Sequence, residues 1–211
     1  MKKGLRDPFI VRSPEGDKFY LIATDLKING DWNWDRSQRT GSRSIMVWES
    51  TDLINWSNQR MVEVSPKEAG NTWAPEISYD ETTGEYIVFW ASKLYDNDEH
   101  SGATYNKMMY SKTRDFYTFT EPKVYMDYGY SVIDTTMIKH DGKSVSFLQK
   151  MKEITRHLHQ TANLFSKKLV IQFLILLFDL IKEGIGKGSI GAGEGPTIFK
   201  SNTEEKVVHV Y

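Results

Sequence analysis

The sequence predicts an all-β fold of the β-propeller class, and two repeats predict it. Acidic residues open four similar stretches of chain at offsets of 69, 58 and 60: Asp7, Glu76, Asp134 and Glu194. Between these stretches, residues 45–57 align without gaps on residues 108–120, at an offset of 63. Units of roughly 40–60 residues with about four strands each are typical of propeller blades.

Along the chain, each repeated element is a short strand followed by a tight turn. Residues 6–24 and 73–92 each predict two strands joined by a turn that contains glycine. Residues 45–57 and 108–120 each predict a strand that ends in a Ser/Thr-x-Asp turn and an aromatic residue. Such strands, separated by Gly, Asp and Asn turns, indicate antiparallel β-structure. A β-sandwich with chance similarity between hairpins is the alternative, and the two repeats in one phase favour the propeller.

The number of units predicts an incomplete propeller. About three and a half units fit between residues 6 and 211, which corresponds to three to four blades. A propeller built of such units needs about four or more to close. A propeller that lacks a blade exposes sheet edges and apolar faces. We therefore expect the polypeptide as written to fold poorly or to be inactive.

The strand pattern stops within residues 144–178. This stretch has neither turn signals nor alternation of apolar and polar residues, so it is a helical or disordered insertion or the product of frame errors. Back-translation in shifted frames permits strand and turn sequences both here and at residues 207–211. We therefore hypothesise that 144–178 and 207–211 are out of frame and that 1–211 is one partial catalytic propeller domain.

Composition excludes several classes of partner. The chain has 27 basic and 28 acidic residues and a net charge of −1, which gives no reason to expect nucleic acid or an anionic membrane. It has no cysteine, so disulfides and thiolate metal sites are excluded. No signal peptide is visible, and the apolar run at 169–181 is too short to span a bilayer. Aromatic residues make up 13% of the chain, which suits a sugar-binding cleft.

The repeated carboxylates suit glycoside hydrolysis. That reaction needs one acid to protonate the leaving oxygen and a second carboxylate to act on water or on carbon. A third carboxylate can raise the pKa of the acid by repulsion between like charges. Asp7, Asp134 and Glu194 meet this need if they occupy equivalent blade positions that face the axis. Each alone is compatible with an ordinary turn or loop, and their common phase favours a site.

Four motifs carry a resemblance to a known family: RDPF (6–9), WAPEI (73–77), VIDTT (132–136) and EGPTIFK (194–200). They resemble, in order and approximate spacing, the motifs of glycoside hydrolase family 43. The resemblance covers residues 4–143 and about 179–206. It implies a five-bladed β-propeller that acts on polysaccharides containing arabinose and xylose.

The resemblance implies a role for each acid. Asp7 would be the general base that activates water, and Glu194 would be the general acid. Asp134 would tune the pKa of the acid and orient it. The family also implies inversion, for which the base and acid carboxylates stand about 6.5–9.5 Å apart.

The resemblance also implies the lining of the pocket. Trp73 and Glu76 would line it, with Trp73 either stacked on the sugar or packed between blades. Phe9 and Trp90 would be wall residues. No metal ligand is assigned in this chain and no cofactor is required, while the full-length protein is compatible with a structural calcium ion.

These expectations define a glycosidase that removes terminal arabinofuranosyl or xylosyl residues from plant-type oligosaccharides or polysaccharides. The alternatives are a non-catalytic carbohydrate-binding propeller, an inactive truncated gene product and a scaffold of the WD-repeat type. WD blades run to about 40–45 residues, shorter than the offsets here. The complete protein is expected to be a monomer, secreted or periplasmic.

Overall fold

Antiparallel sheets follow one another along the chain. The computed structural model describes residues 4–140, 143–151, 165–174, 177–183, 195–204 and 206–210. Within these ranges there are three four-stranded sheets and one two-stranded sheet, and strands adjacent in sequence are adjacent in each sheet. This is the all-β architecture that the sequence predicts, with three complete units and a partial one.

The first sheet contains the first acidic motif in its first strand. Its strands are β1 (Leu5–Arg12), β2 (Phe19–Asp25), β3 (Ser44–Ser50) and β4 (Arg60–Glu63). A one-turn helix, α1 (Trp34–Ser37), lies in the connection between β2 and β3. The side chain of Asn33 caps α1 by accepting a hydrogen bond from the Arg36 N–H at 2.9 Å.

The second and third sheets repeat this order. The second consists of β5 (Trp73–Asp80), β6 (Glu85–Lys93), β7 (Asn106–Thr113) and β8 (Lys123–Met126). The third consists of β9 (Val132–His140), β10 (Lys143–Met151), β11 (Phe165–Leu174) and β12 (Leu177–Glu183). The last sheet pairs β13 (Thr197–Lys200) with β14 (Val207–Val210).

The first strands of the four sheets lie side by side. Strand β1 contacts β5, β5 contacts β9, and β9 contacts β13. Each sheet therefore presents its first strand to a common axis, as propeller blades do. The motifs that open these four strands are brought to one end of that axis.

Two apolar clusters fill the spaces between successive sheets. Between the first and second sheets lie residues of both, with the rings of Tyr20, Tyr86 and Phe116 in mutual contact at centroid distances of 4.4–5.6 Å. Between the second and third sheets, Phe89, Met108 and Val132 are fully buried. The second sheet is therefore covered on both faces.

The two segments that repeat at an offset of 63 form equivalent hydrogen bonds. Asp52 accepts backbone N–H bonds from Ile54 and Asn55 at 2.9 and 2.7 Å. Its counterpart Asp115 accepts them from the two equivalent positions, at 2.8 and 2.9 Å. These donors lower the pKa of both carboxyls, the largest contribution coming from Asn55 for Asp52 and from Thr118 for Asp115. The prediction of two equivalent strand-turn units is confirmed.

The described part of residues 144–178 is β-structure. Strands β10 and β11 pair with each other and β10 pairs with β9, so the expectation of a helical or disordered insertion is wrong for these residues. Pairing with a formed neighbour supplies a strand with backbone partners even where its sequence lacks alternation. Residues 152–164 and 175–176 lie outside the described ranges.

The frame-error hypothesis for 144–178 and 207–211 stays a prediction. We expect resequencing of the coding DNA to reveal insertions or deletions that restore turn and strand sequences in these two stretches. An uninterrupted reading frame through residues 144–178 would contradict it.

Exposed apolar side chains lie on the first and last sheets of the row. In β1, Leu5 and Ile10 are about half exposed, and in β13 and β14 so are Phe199 and Val210. Sheet faces of this kind are normally covered in a propeller. Within the described residues, no helix is both long and apolar enough to cross a membrane.

Candidate active site

The first strands of three sheets share one irregularity. Each pairing register shifts so that the inner strand holds one more residue than its partner: between Arg6 and Phe9 in β1, between Trp73 and Glu76 in β5, and between Ile133 and Thr136 in β9. This is a β-bulge, which bends a strand and redirects a side chain. The same device therefore occurs at the same place in three successive blades.

A left-handed backbone marks each bulge. The φ angles are +49° at Asp7, +47° at Ala74 and +51° at Asp134, and Gly195 ahead of β13 has +58°. Non-glycine residues adopt this conformation at a cost of about 1–2 kcal/mol, and such strain clusters at functional sites. Asp7 and Asp134 are therefore equivalent, as the sequence predicts.

The other two acids of the repeat are not equivalent to these. Ala74, and not Glu76, matches Asp7 in the second blade, so Glu76 lies two residues further along its strand. In the fourth blade the left-handed residue is Gly195, one position after Glu194. The alignment of the four acids as equivalent positions is wrong for Glu76, because Ala74 occupies the left-handed bulge position of its strand. Glu194 itself lies outside the described residues.

A cavity of about 310 Å³ lies where the four strands meet. Its lining includes both aspartates of the bulges, together with Phe9, Glu76 and the residues around the start of the last sheet. The complete lining consists of Asp7, Pro8, Phe9, Ala74, Pro75, Glu76, Asp134, Gly195, Pro196 and Thr197. The volume lies at the lower end of the range for small-molecule sites. The predictions that Phe9 and Glu76 line a pocket with Asp7 and Asp134 agree with this placement.

Thr24 joins the first two bulges. Its hydroxyl donates a hydrogen bond to Oδ2 of Asp7 at 2.9 Å and accepts one from the N–H of Ala74 at 2.8 Å. Thr24 is fully buried at the end of β2. The carboxylate of Asp7 is thereby fixed in orientation while the residue itself remains exposed to the cavity.

Asp134 is tied to the fourth blade. The N–H of Gly195 donates a hydrogen bond to Oδ2 of Asp134 at 3.4 Å. This N–H belongs to the peptide bond that follows Glu194. Gly195, two residues before the start of β13, therefore lies beside the carboxylate of the third blade.

The pKa of Glu76 is shifted by its place in the cavity. The pKa of its carboxyl is raised from 4.5 to about 8, mainly by burial; a hydrogen bond with Thr136 opposes this shift and the charge of Asp134 adds to it. Glu76 is therefore protonated at neutral pH. A neutral carboxyl can donate a hydrogen bond into the cavity, which a carboxylate cannot.

The Glu76→Gln variant is expected to change the pH dependence of stability. The folded pKa of about 8 lies above the ordinary 4.5, so folding retains a proton that the unfolded chain releases. The free energy of unfolding of the native protein therefore falls as pH rises through this window, by at most about 1.4 kcal/mol per pH unit. Denaturant titrations at pH 4.5, 6 and 8 should show that, as pH rises, the free energy of unfolding of the variant increases relative to that of the native chain.

Glu85→Gln is the matched control for that experiment. Hydrogen bonding to Lys112 lowers the pKa of Glu85, so its loss carries the opposite sign and gives no relative gain with rising pH. An equal pH profile for Glu76→Gln and the native chain would contradict the buried, protonated state of Glu76.

The two predicted tryptophans are not in the cavity lining. Trp90 is fully buried between the first and second sheets, and its indole N–H donates to Oγ of Ser92 at 3.1 Å. Trp73 is 8% exposed and packs between the second and third sheets. The prediction of Trp90 as a wall residue is wrong, and Trp73 takes the inter-blade alternative. Both faces of a propeller blade are buried, so the alternation of residues along a strand does not predict which face carries Trp73 or Trp90.

The contributions of Thr24 and Thr136 to the site could not be predicted from the sequence. Thr24 is opposite Arg6 in the register of β1 and β2, and no residue pattern marks it. Pro8, Pro75 and Pro196 stand in three of the four motifs, and in the structure each follows a left-handed residue. Within the ranges that the structure describes, no group of three or more His, Cys, Asp or Glu side chains is arranged to hold a metal ion.

Sheets that deliver carboxylates from equivalent bulges to one axial cavity define a propeller of the glycoside hydrolase class. The whole chain, residues 1–211, matches the family model described as "Probable glycosyl hydrolase domain", which is related to glycoside hydrolase family 43. The chain belongs to this family.

A curated relative and several solved structures are similar to the chain. An α-L-arabinofuranosidase of Bifidobacterium longum subsp. longum is 42% identical over 153 residues, which cover 66% of this chain and 14% of that protein. The chain thus spans about one seventh of the length of that relative.

The similar solved structures share the fold. A thermostable family-43 glycoside hydrolase superposes with a TM-score of 0.62 at 18% identity, over 95% of this chain and 62% of its own. A β-xylosidase/α-arabinofuranosidase from a compost microbial metagenome, solved with xylotriose, gives 0.63 at 15% identity, over 94% and 67%. The five-bladed class predicted from the motifs agrees with these neighbours, of which this chain covers about two thirds.

Proposed function

We propose that this chain forms the catalytic propeller of a glycosidase that removes terminal arabinofuranosyl or xylosyl residues from plant-type oligosaccharides or polysaccharides. The observation that carries the proposal is the placement of Asp7 and Asp134 on equivalent bulges facing one cavity. The identity to an α-L-arabinofuranosidase, and neighbours solved with xylotriose and cellotriose, support a carbohydrate substrate.

Asp7 is proposed as the general base. Its carboxylate would accept a proton from a water molecule while the water oxygen bonds to the anomeric carbon. The hydrogen bond from Thr24 holds one carboxylate oxygen, which leaves the other for the water. Attack from the side opposite the leaving group inverts the anomeric configuration.

Glu194 is proposed as the general acid and Asp134 as its positioning partner. As the glycosidic C–O bond breaks, the acid would transfer its proton to the leaving oxygen. The contact between Asp134 and the Gly195 N–H supports this pairing, because it fixes the peptide next to Glu194. The protonated carboxyl of Glu76 would hydrogen-bond a hydroxyl of the bound sugar.

Hydrolysis of two aryl glycosides tests the proposal. The intact protein should release 4-nitrophenol from an α-L-arabinofuranoside or a β-D-xyloside, and proton NMR should show the inverted anomer as the first product. Release of neither would overturn the proposed activity. A retained configuration would overturn the role of Asp7 as base.

The second candidate is a propeller that binds carbohydrate without cleaving it, or an inactive truncated product. The exposed apolar residues on the first and last sheets favour this candidate for the 211-residue chain. Calorimetric titration with xylotriose distinguishes the binding propeller from the inactive product, because only the binding propeller still binds xylotriose. We further propose a monomer, secreted or periplasmic, that requires no cofactor; the full-length protein is compatible with a structural calcium ion.

A further inference from the structure

Two exposed tryptophans lie at the same end of the sheets as the cavity. All six tryptophans are described, and only Trp32 and Trp34 count among the exposed large apolar residues, at 66% and 38%. Both lie in the connection between β2 and β3, at the end of the sheets where the bulges lie. Isolated exposed rings are common, but two on one short segment beside a cavity call for an explanation.

Contacts place Trp34 next to the cavity. Its ring meets Trp73 edge-on with centroids 6.1 Å apart, and the guanidinium of Arg6 lies 5.6 Å from its centroid. Arg6 directly precedes Asp7, and Trp73 directly precedes Ala74. The indole of Trp34 is therefore held by the residues next to two members of the cavity lining.

Hydrogen bonds anchor the segment that carries these rings at the residues just after α1. Gln38, just after α1, is buried; its carbonyl accepts from the Tyr95 hydroxyl at 3.0 Å and its side chain accepts from Asn106 at 3.2 Å. Arg39 donates to two carbonyls of the β6–β7 connection at 2.8 and 2.9 Å. An anchored backbone preorganises the rings for binding, because the segment has little conformational entropy left to lose when a ligand binds.

We propose that Trp32 and Trp34 form a platform that binds the sugar residues on the leaving-group side of the scissile bond. This inference rests on the proposed function and specifies its substrate as an oligosaccharide or polysaccharide of pyranose units. The flat apolar face of an indole suits the C–H face of a pyranose ring. The cavity of about 310 Å³ takes the residue that is removed, and the platform takes the chain from which it is removed.

Paired substrates test the platform. A glycosyl fluoride (arabinofuranosyl or xylosyl) fills only the cavity, whereas an arabinoxylan oligosaccharide or xylotriose also reaches the platform. For Trp34→Ala we expect kcat/KM on the oligosaccharide to fall about tenfold, mainly through KM, with the fluoride changed less than about twofold. Trp34→Phe, which keeps a ring, should recover most of the loss, and Trp32→Ala should show a smaller loss of the same kind.

Tyr117→Ala is the matched control. Tyr117 is 61% exposed and has the Arg60 guanidinium over its ring at 3.6 Å, but it follows the far end of β7, away from the cavity. It should leave both substrates unaffected. Equal losses of Trp34→Ala on the fluoride and the oligosaccharide would overturn the platform, as would no loss on either.

Calorimetric titration with xylotriose separates the platform from catalysis. If the native protein hydrolyses neither substrate but binds xylotriose more tightly than Trp34→Ala does, the proposed function fails and the platform stands. If both bind xylotriose equally while thermal melting shows both folded, the platform is overturned.

Discussion

Replacement of Asp7 by asparagine is expected to lower kcat on aryl arabinofuranosides or xylosides by about 10²–10⁴-fold, the usual contribution of a general base. The amide cannot accept the proton of the attacking water, yet it still accepts the hydrogen bond that Thr24 now gives to Oδ2 at 2.9 Å. The bulge and the cavity should therefore persist. The loss should appear in kcat for every leaving group, because water activation is needed whichever bond breaks.

Asp17→Asn provides the control within the same hairpin. Asp17 accepts a hydrogen bond from the Ser13 hydroxyl at 2.7 Å in the β1–β2 turn, at the other end of β1 from the cavity. It should keep native activity. Native kcat in Asp7→Asn, with an unchanged melting temperature, would remove Asp7 from the mechanism.

Replacement of Glu194 by glutamine is expected to produce a loss that depends on the leaving group. A leaving oxygen of low basicity, such as that of 2,4-dinitrophenol, needs no proton, so its release should remain close to native. A sugar or alkyl oxygen does need one, and its release should slow by about 10²–10⁴-fold. Rates measured over a series of aryl glycosides should show a steep dependence on phenol pKa that the native protein lacks.

Glu204→Gln is the control in the same sheet. Glu204 is exposed in the β13–β14 turn, where its carboxylate pairs with Lys206 at 2.6 Å. Its loss should leave the leaving-group series unchanged. A uniform loss across the series in Glu194→Gln would identify Glu194 as a binding residue and not as the acid.

The two expected results depend on the structure to different degrees. Asp7 is placed in the cavity by its bulge, its left-handed backbone and its bond from Thr24. The expected result for Glu194 rests on its motif and on the adjoining Gly195, whose N–H donates a hydrogen bond to Asp134. The left-handed backbone recurs at Asp7, Ala74 and Asp134, so it belongs to the bulge of each blade, and in two blades that bulge directs an aspartate into the cavity.

Much of the fold could be predicted because a propeller repeats itself. The 63-residue offset aligns Asp52 with Asp115, and the structure gives the two the same backbone donors. Local turn chemistry of this kind is written in a few adjacent residues, so a sequence comparison can detect it. The strands of 144–178 could not be predicted, because their pairing with β9 comes from a neighbour and not from their own pattern.

The candidate site was predicted only in part. The motifs identified Asp7, Asp134, Phe9 and Glu76 as neighbours, but they gave Glu76 the wrong blade position. The bulge position holds an aspartate in the first and third blades but Ala74 in the second, where the acid comes two residues later, and a bulge leaves no fixed signature in a single sequence that would reveal this. Trp90 was misplaced for a related reason, since both faces of its sheet are buried.

By itself, the sequence determined the class of fold, the approximate number of blades and the acids that two of them contribute, because these follow from repeated local patterns. Only the tertiary structure decided which side chains meet. It joined Asp7 to Thr24 across two strands, gave Glu76 its raised pKa through burial beside Asp134, and buried Trp73 between two blades while Trp32 and Trp34 stayed exposed. These outcomes depend on the distances between strands, both within one blade and between blades, which no single stretch of chain encodes.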